Sequence, residues 1–211
     1  MTRLLLVAAL AALAPLAALA ESSFTSTTGS GGLSTSAKLD FTITVPKVLF
    51  LQVGTGGPGF TGNAAVDNIA FDVPAGSVGT GTTVSGTNGD QTNGAVTIRV
   101  LGNSGTVTLN NAVTGPISDG GAITVPWSQI AVASAPLGST TPGFDNFSGI
   151  AHPLFSASSG NGTATTLAAT GGLVRREGKW TFSYLNGATL PSGTYGGSAN
   201  GGRVIYTATA P

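Results

Sequence analysis

His152 is the sole histidine of the 211-residue chain, so serine-triad chemistry would have to run through it as the base. Pro153 follows it, and no Gly-x-Ser-x-Gly elbow occurs anywhere in the sequence; these features predict an exposed loop histidine. The carboxylates open to a paired-acid hydrolase are Asp67, Asp72, Asp119 and Asp145. Each stands among turn-forming residues, where a solvated aspartate serving its own backbone is the simpler account. Gly54-Thr55-Gly56-Gly57-Pro58-Gly59 matches the G-x-G-x-x-G dinucleotide fingerprint. That motif needs a helix after it to receive pyrophosphate, and Phe60 to Asn68 carry no amphipathic helical pattern. A glycine-rich loop after a strand is predicted instead, with no cofactor. Asn88 to Asn93 has the look of a calcium loop but lacks the carboxylates and the closing bidentate glutamate, so no metal is expected. Arg175-Arg176-Glu177-Gly178-Lys179 is the one charge cluster, and its mixed signs and glycine predict a polar hairpin turn. No catalytic, cofactor-binding or metal-binding residue is assigned, and no enzyme is expected.

Trp127 follows Pro126 at a strand end, with Phe144, Phe147 and Phe155 in the region beyond it. Such aromatics either pack in a core or stack on sugar rings, so a carbohydrate- or ligand-binding module is an alternative reading. Asn146-Phe147-Ser148 and Asn161-Gly162-Thr163 are glycosylation sequons, relevant only in a eukaryotic secretory pathway.

The elements that would position these residues are set by composition and periodicity. Arg3 precedes an apolar run from Leu4 to Leu19, and Ala18-Leu19-Ala20 supplies a small-x-small cleavage pattern. This predicts a signal peptide over residues 1–20 and an exported product, periplasmic, cell-surface or extracellular. The run is short for a membrane span and no second long apolar run follows, so no span is expected in the mature chain. Cysteine is absent, which excludes disulfides and thiolate metal sites. Seven of the eight lysines and arginines lie beyond residue 20, scattered among eight acids. Without a basic face, nucleic acid is excluded as a partner.

Residues 21–36 are rich in Ser, Thr and Gly, with Phe24 and Leu33 as their bulky apolar groups; a flexible arm is expected there. From residue 37 to 211 a single all-β domain is predicted. Leu39, Phe41, Ile43 and Val45 alternate with Asp40, Thr42 and Thr44, the period of a half-buried strand, which Pro46 ends. Further strand patterns cover 48–53, 69–73, 96–100, 107–109, 123–125, 130–132, 180–184 and 204–208. No mature segment has a helical period, and Gly and Pro break the helix windows. Short strands at this spacing specify a β-sandwich or barrel. Residues 75–94 and 135–170 are expected to be long loops, the latter a surface excursion.

Leu190-Pro191-Ser192-Gly193-Thr194-Tyr195 resembles the tyrosine corner of Greek-key sandwiches. With Trp180 to Tyr184 and Gly202 to Pro211, the last thirty residues resemble the end of a bacterial surface or fimbrial-type subunit. The resemblance implies an antiparallel Greek-key, immunoglobulin-like β-sandwich with long glycine-rich loops, and a role in assembly. Many chaperone–usher pilins carry a disulfide, which this chain cannot form. They also complete a neighbour's sheet with an N-terminal strand of alternating bulky groups, for which the arm 21–36 offers only Phe24 and Leu33. The reading is an exported structural protein with protein partners, self-assembling through sheet edges. N-terminal sequencing of the exported product should begin at Glu21; a product retaining Met1 overturns the export assignment.

Overall fold

The computed structural model describes residues 22–57 and 59–211, so the signal peptide assigned to residues 1–20 lies outside the described residues. The strands are β1 (Leu49–Val53), β2 (Val84–Ser85), β3 (Ala95–Gly102), β4 (Val107–Val113), β5 (Ile117–Ser118), β6 (Thr124–Val125), β7 (Ile130–Ala135), β8 (Gly160–Asn161), β9 (Thr165–Leu167), β10 (Val174–Tyr184) and β11 (Val204–Thr209). Two short 3-10 turns, Ala75–Ser77 and Trp127–Gln129, are the only helical elements among the described residues. Every pairing between these strands is antiparallel. The all-β class is as expected.

The chain divides into two units at Val45/Pro46. The first, described from residue 22, contains no strand. The strand expected at 37–45 is therefore not formed. Its apolar row stands in solvent, with Leu39, Phe41, Ile43 and Val45 exposed by 75, 84, 87 and 71 %. Alternation marks an amphipathic extended segment; it does not say which surface will bury it.

The second unit, residues 46–211, holds the sheets. In the larger sheet the order is β1-β3-β10, with β7 and β2 also paired to β10. In the smaller one β4 lies between β11 and β8, and also pairs β9. Their inner rows form a common core of Val96, Ile98 and Val100 from β3, Val107, Leu109 and Val113 from β4, and Trp180, Phe182 and Tyr184 from β10. The registers put like rows together: Ile98 opposes Gly178, and Val96 opposes Trp180.

Three sequence expectations change here. In place of the strand expected at 69–73 there is only an isolated bridge between Ala70 and Thr87. The charge cluster 175–179 is part of strand β10, not a hairpin turn. Glu177 is fully buried, ion-paired to Arg99 Nε at 3.0 Å, and accepts from Thr141 N at 2.6 Å. A Cβ on Gly178 would stand 2.9 Å from Gly149 Cα, so the glycine permits a backbone crossing. Residues 145–154 are a surface excursion only in part: Phe147 and Leu154 are exposed, but the segment between them crosses the body. Asp145 N donates to Arg175 O and Glu177 N to Asp145 O, Ile150 is fully buried, and Trp180 Nε1 donates to Ile150 O at 2.6 Å. Strands β8 and β9 lie within the same 135–170 stretch. The 75–94 region is looped as expected apart from β2; Asn186 holds part of it, accepting from Gly79 N at 3.1 Å and donating to Thr82 O at 3.3 Å.

Ile150→Ala should cost about 2–5 kcal/mol, the range for emptying a buried aliphatic site. Denaturant unfolding checks this; a change within about 0.5 kcal/mol, normal for a surface position, would contradict the threaded path.

Candidate functional site

The residues singled out by chemistry do not converge. The glycine-rich loop after β1 folds around its own carboxylate: Thr55 Oγ1 donates to Asp67 Oδ1 at 2.8 Å and Thr55 N donates to Oδ2. Gly54 has φ +82°, and a Cβ there would collide with Asp67 Oδ2. The anion that occupies this loop's amide is thus the protein's own, and no helix follows. Asp90 Oδ1 accepts from Thr97 N at 2.7 Å, which ties the 88–93 turn to β3. Asp119 Oδ1 accepts from Gly121 N. Asp145 accepts from Phe147 N and pairs with Arg176 at 3.4 Å. These aspartates serve their own turns, and no group of three metal-ligating side chains forms among the described residues.

His152 is not the exposed loop histidine expected from sequence. It is half-buried, with Phe155, Trp180, Phe182 and Tyr206 rings at 4.7, 4.6, 5.8 and 5.6 Å. Its Nε2 lies 2.7 Å from Tyr206 Oη. Burial pushes its pKa down to about 4, opposed by a backbone hydrogen bond at Pro153, and burial raises the Tyr206 phenol. With its other ring nitrogen bonded to the Pro153 backbone, the neutral imidazole presents Nε2 as acceptor of a hydrogen bond from the Tyr206 hydroxyl, which links the 145–155 segment to β11. A cleft of about 380 Å³ beside it is lined by Ile130, Val132, Ser134, Ala151 and Phe155. Ser134 Oγ accepts from the His152 backbone N–H, while the ring nitrogen faces Tyr206, so no serine–imidazole pair exists.

Trp127 is 5 % exposed, donates Nε1–H to Gly115 O at 2.8 Å and stacks on Phe155 at 4.8 Å. It packs as a core side chain and presents no open face for a sugar ring. Tyr195 lies outside the strands, in the β10–β11 connection, and its hydroxyl donates to Pro191 O at 2.9 Å. That is the upstream backbone bond expected of a tyrosine corner.

The surface with an unmet requirement is a sheet edge that no single residue type announces. Strand β11 pairs with β4 and, among the described residues, with no strand on its other side. On β4 the inner row Val107, Leu109, Asn111 and Val113 is buried to 3 % exposure or less. The row opposite it on β11, Val204, Tyr206 and Ala208, continued by Ala210, is only half-buried. Across the opening stands β1, whose inward residues Leu51 and Val53 are also half-buried, and Leu49 is 42 % exposed. The edge leaves an apolar row partly wetted beside β1, which approaches β11 without pairing to it. The sequence signal was available in the alternation of 204–208, but alternation does not reveal that the strand lies at an edge.

A scan against protein-family models finds no match, and searches of curated proteins and of solved structures likewise find none.

His152 sets an acid limit on this arrangement. Its pKa is lowered from 6.5 to about 4 on folding, so the native state binds fewer protons than the unfolded chain between these values. Stability from this group is complete above pH 6.5 and falls as pH drops to about 4, by about 3 kcal/mol in all. Denaturant titrations from pH 7 to 4 should show this loss and His152→Gln should flatten it; an equal slope in the variant contradicts the assignment.

Proposed function

We propose that this protein is a non-enzymatic, exported structural subunit that associates with protein partners by strand pairing at the β11 edge of an immunoglobulin-like sandwich. The observation that carries the reading is the half-exposed inner row of β11 set beside the fully buried row of β4. Edge strands left open in this way template pairing with another chain.

The topology supports the immunoglobulin-like reading. The order β1-β3-β10-β7 corresponds to strands A-B-E-D, and β4-β11 to C-F. The tyrosine hydrogen bond at Tyr195 falls in the E–F connection, where the corner belongs. In that scheme the place beside β11 belongs to strand G, and no strand fills it among the described residues. Sparse charge favours close packing of subunits.

Sedimentation velocity of the purified chain should show association that grows with concentration. Ala208→Glu, which places a charge in the seam, should weaken it at least tenfold while leaving the circular dichroism spectrum unchanged. A wild-type chain that stays monomeric at high concentration overturns the reading.

A further inference from the structure

We propose that the cleft between β7 and the 151–155 segment binds a small uncharged apolar molecule carrying one hydrogen-bond acceptor, such as an ester or a ketone. The site lies on the β7 side of the body and is independent of the β11 edge. Strand β7 pairs with β10 and, among the described residues, with no other strand. Its inward row is Ile130, Val132 and Ser134, which oppose Tyr184, Phe182 and Trp180 of the core. Cover weakens along that row: Ile130 is buried, Val132 half-buried and Ser134 exposed. The facing wall is the 151–155 segment, with Ala151, His152, Leu154 and Phe155. It is fastened to β7 where Ser134 Oγ accepts from His152 N at 3.1 Å. The walls enclose about 380 Å³, within the range of small-ligand sites.

The lining fixes the chemical class. Apart from Ser134 and His152 its side chains are aliphatic or aromatic, and no Lys, Arg, Asp or Glu is among them. A charged ligand would lose water here without meeting a counter-ion. His152 supplies none, because burial keeps its ring neutral down to about pH 4. Its nitrogens are also committed, Nε2 to Tyr206 at 2.7 Å and the other to the Pro153 backbone. Ser134 Oγ spends a lone pair on the His152 amide, which leaves its O–H to donate. One hydroxyl donor in an apolar cleft matches a ligand with one neutral acceptor. Leu154 points to the same class. It is 67 % exposed, although its carbonyl is held by Thr163 N at 3.0 Å and by Asn111 Nδ2 at 3.2 Å. A bulky aliphatic group fixed at the rim of an apolar cleft gains burial when an apolar molecule enters. Both tryptophans of the chain adjoin the lining: Trp127 stacks on Phe155 at 4.8 Å, and Trp180 meets His152 edge-on at 4.6 Å.

Methyl hexanoate and hexanoate are the probes, alike in shape and opposite in charge state at neutral pH. Methyl hexanoate should change the tryptophan fluorescence saturably, with a Kd below about 1 mM, and should raise the thermal unfolding midpoint. Hexanoate should bind more weakly by roughly tenfold or more. Leu154→Glu alters an exposed rim position, and should weaken ester binding by roughly tenfold with the circular dichroism spectrum unchanged. Val132→Phe, which fills the cleft from the opposite wall, should abolish it. No saturable response to the ester overturns the proposal. Equal binding of ester and anion overturns the uncharged class. Ester binding undiminished in both variants, each folded by circular dichroism, overturns the location.

Discussion

The body depends on the burial of one indole. Trp180 lies on β10, which pairs with β3 on one side and β7 on the other. It is fully buried, and an indole N–H left unpaired there would carry a desolvation cost of about 1–3 kcal/mol. Ile150 O meets that need, which draws the 145–155 segment inward. Asn111 Nδ2 secures the same segment from the opposite sheet by donating to Leu154 O at 3.2 Å. His152 then reaches Tyr206. A single polar requirement at the centre of the core thereby organises a crossing segment, both sheets and the edge strand.

The longer strands of the body were legible because their side chains alternate and their ends carry Gly, Pro or Asn, whereas the short β2, β5, β8 and β9 were not. β3, β10 and β11 follow directly from Val96-Ile98-Val100, Trp180-Phe182-Tyr184 and Val204-Tyr206-Ala208. The tyrosine hydrogen bond was also legible, because Pro191-Ser192-Gly193 announces the turn that Tyr195 closes. What failed has a common physical origin. Residues 37–45 alternate like any strand, but periodicity records amphipathicity and is silent on whose core receives it. The 175–179 cluster looks solvated until Arg99, 78 residues away in sequence, is brought to Glu177. His152 looks exposed until Trp180, Phe182 and Tyr206 close around it beside its near neighbour Phe155. Each depends on a partner far along the chain, and local pattern contains no term for that partner. The candidate edge was half legible: its strand was visible, its vacancy was not.

Without disulfides, this fold relies on pairing and packing to hold its edges. Where a strand is flanked on both sides, as β3 and β10 are, the inner residues are almost wholly excluded from water. Where it is flanked on one side, as β11 is, the same kinds of residue remain partly wetted. Full burial of an aliphatic or aromatic side chain contributes about 1.5–3 kcal/mol, so an uncovered row leaves several kilocalories unrealised.

The placing of the cationic side chains has a consequence for how the molecule meets a protease. Arg99, Arg175, Arg176 and Lys179 are all held in β3 or β10, where strand pairing denies a trypsin-like protease the extended, free backbone it must grip. Lys38, Lys47 and Arg203 stand exposed outside the strands. A cut after Lys47 would sever the N-terminal segment in one event, and a cut after Arg203 would leave β11 held only by its pairing with β4.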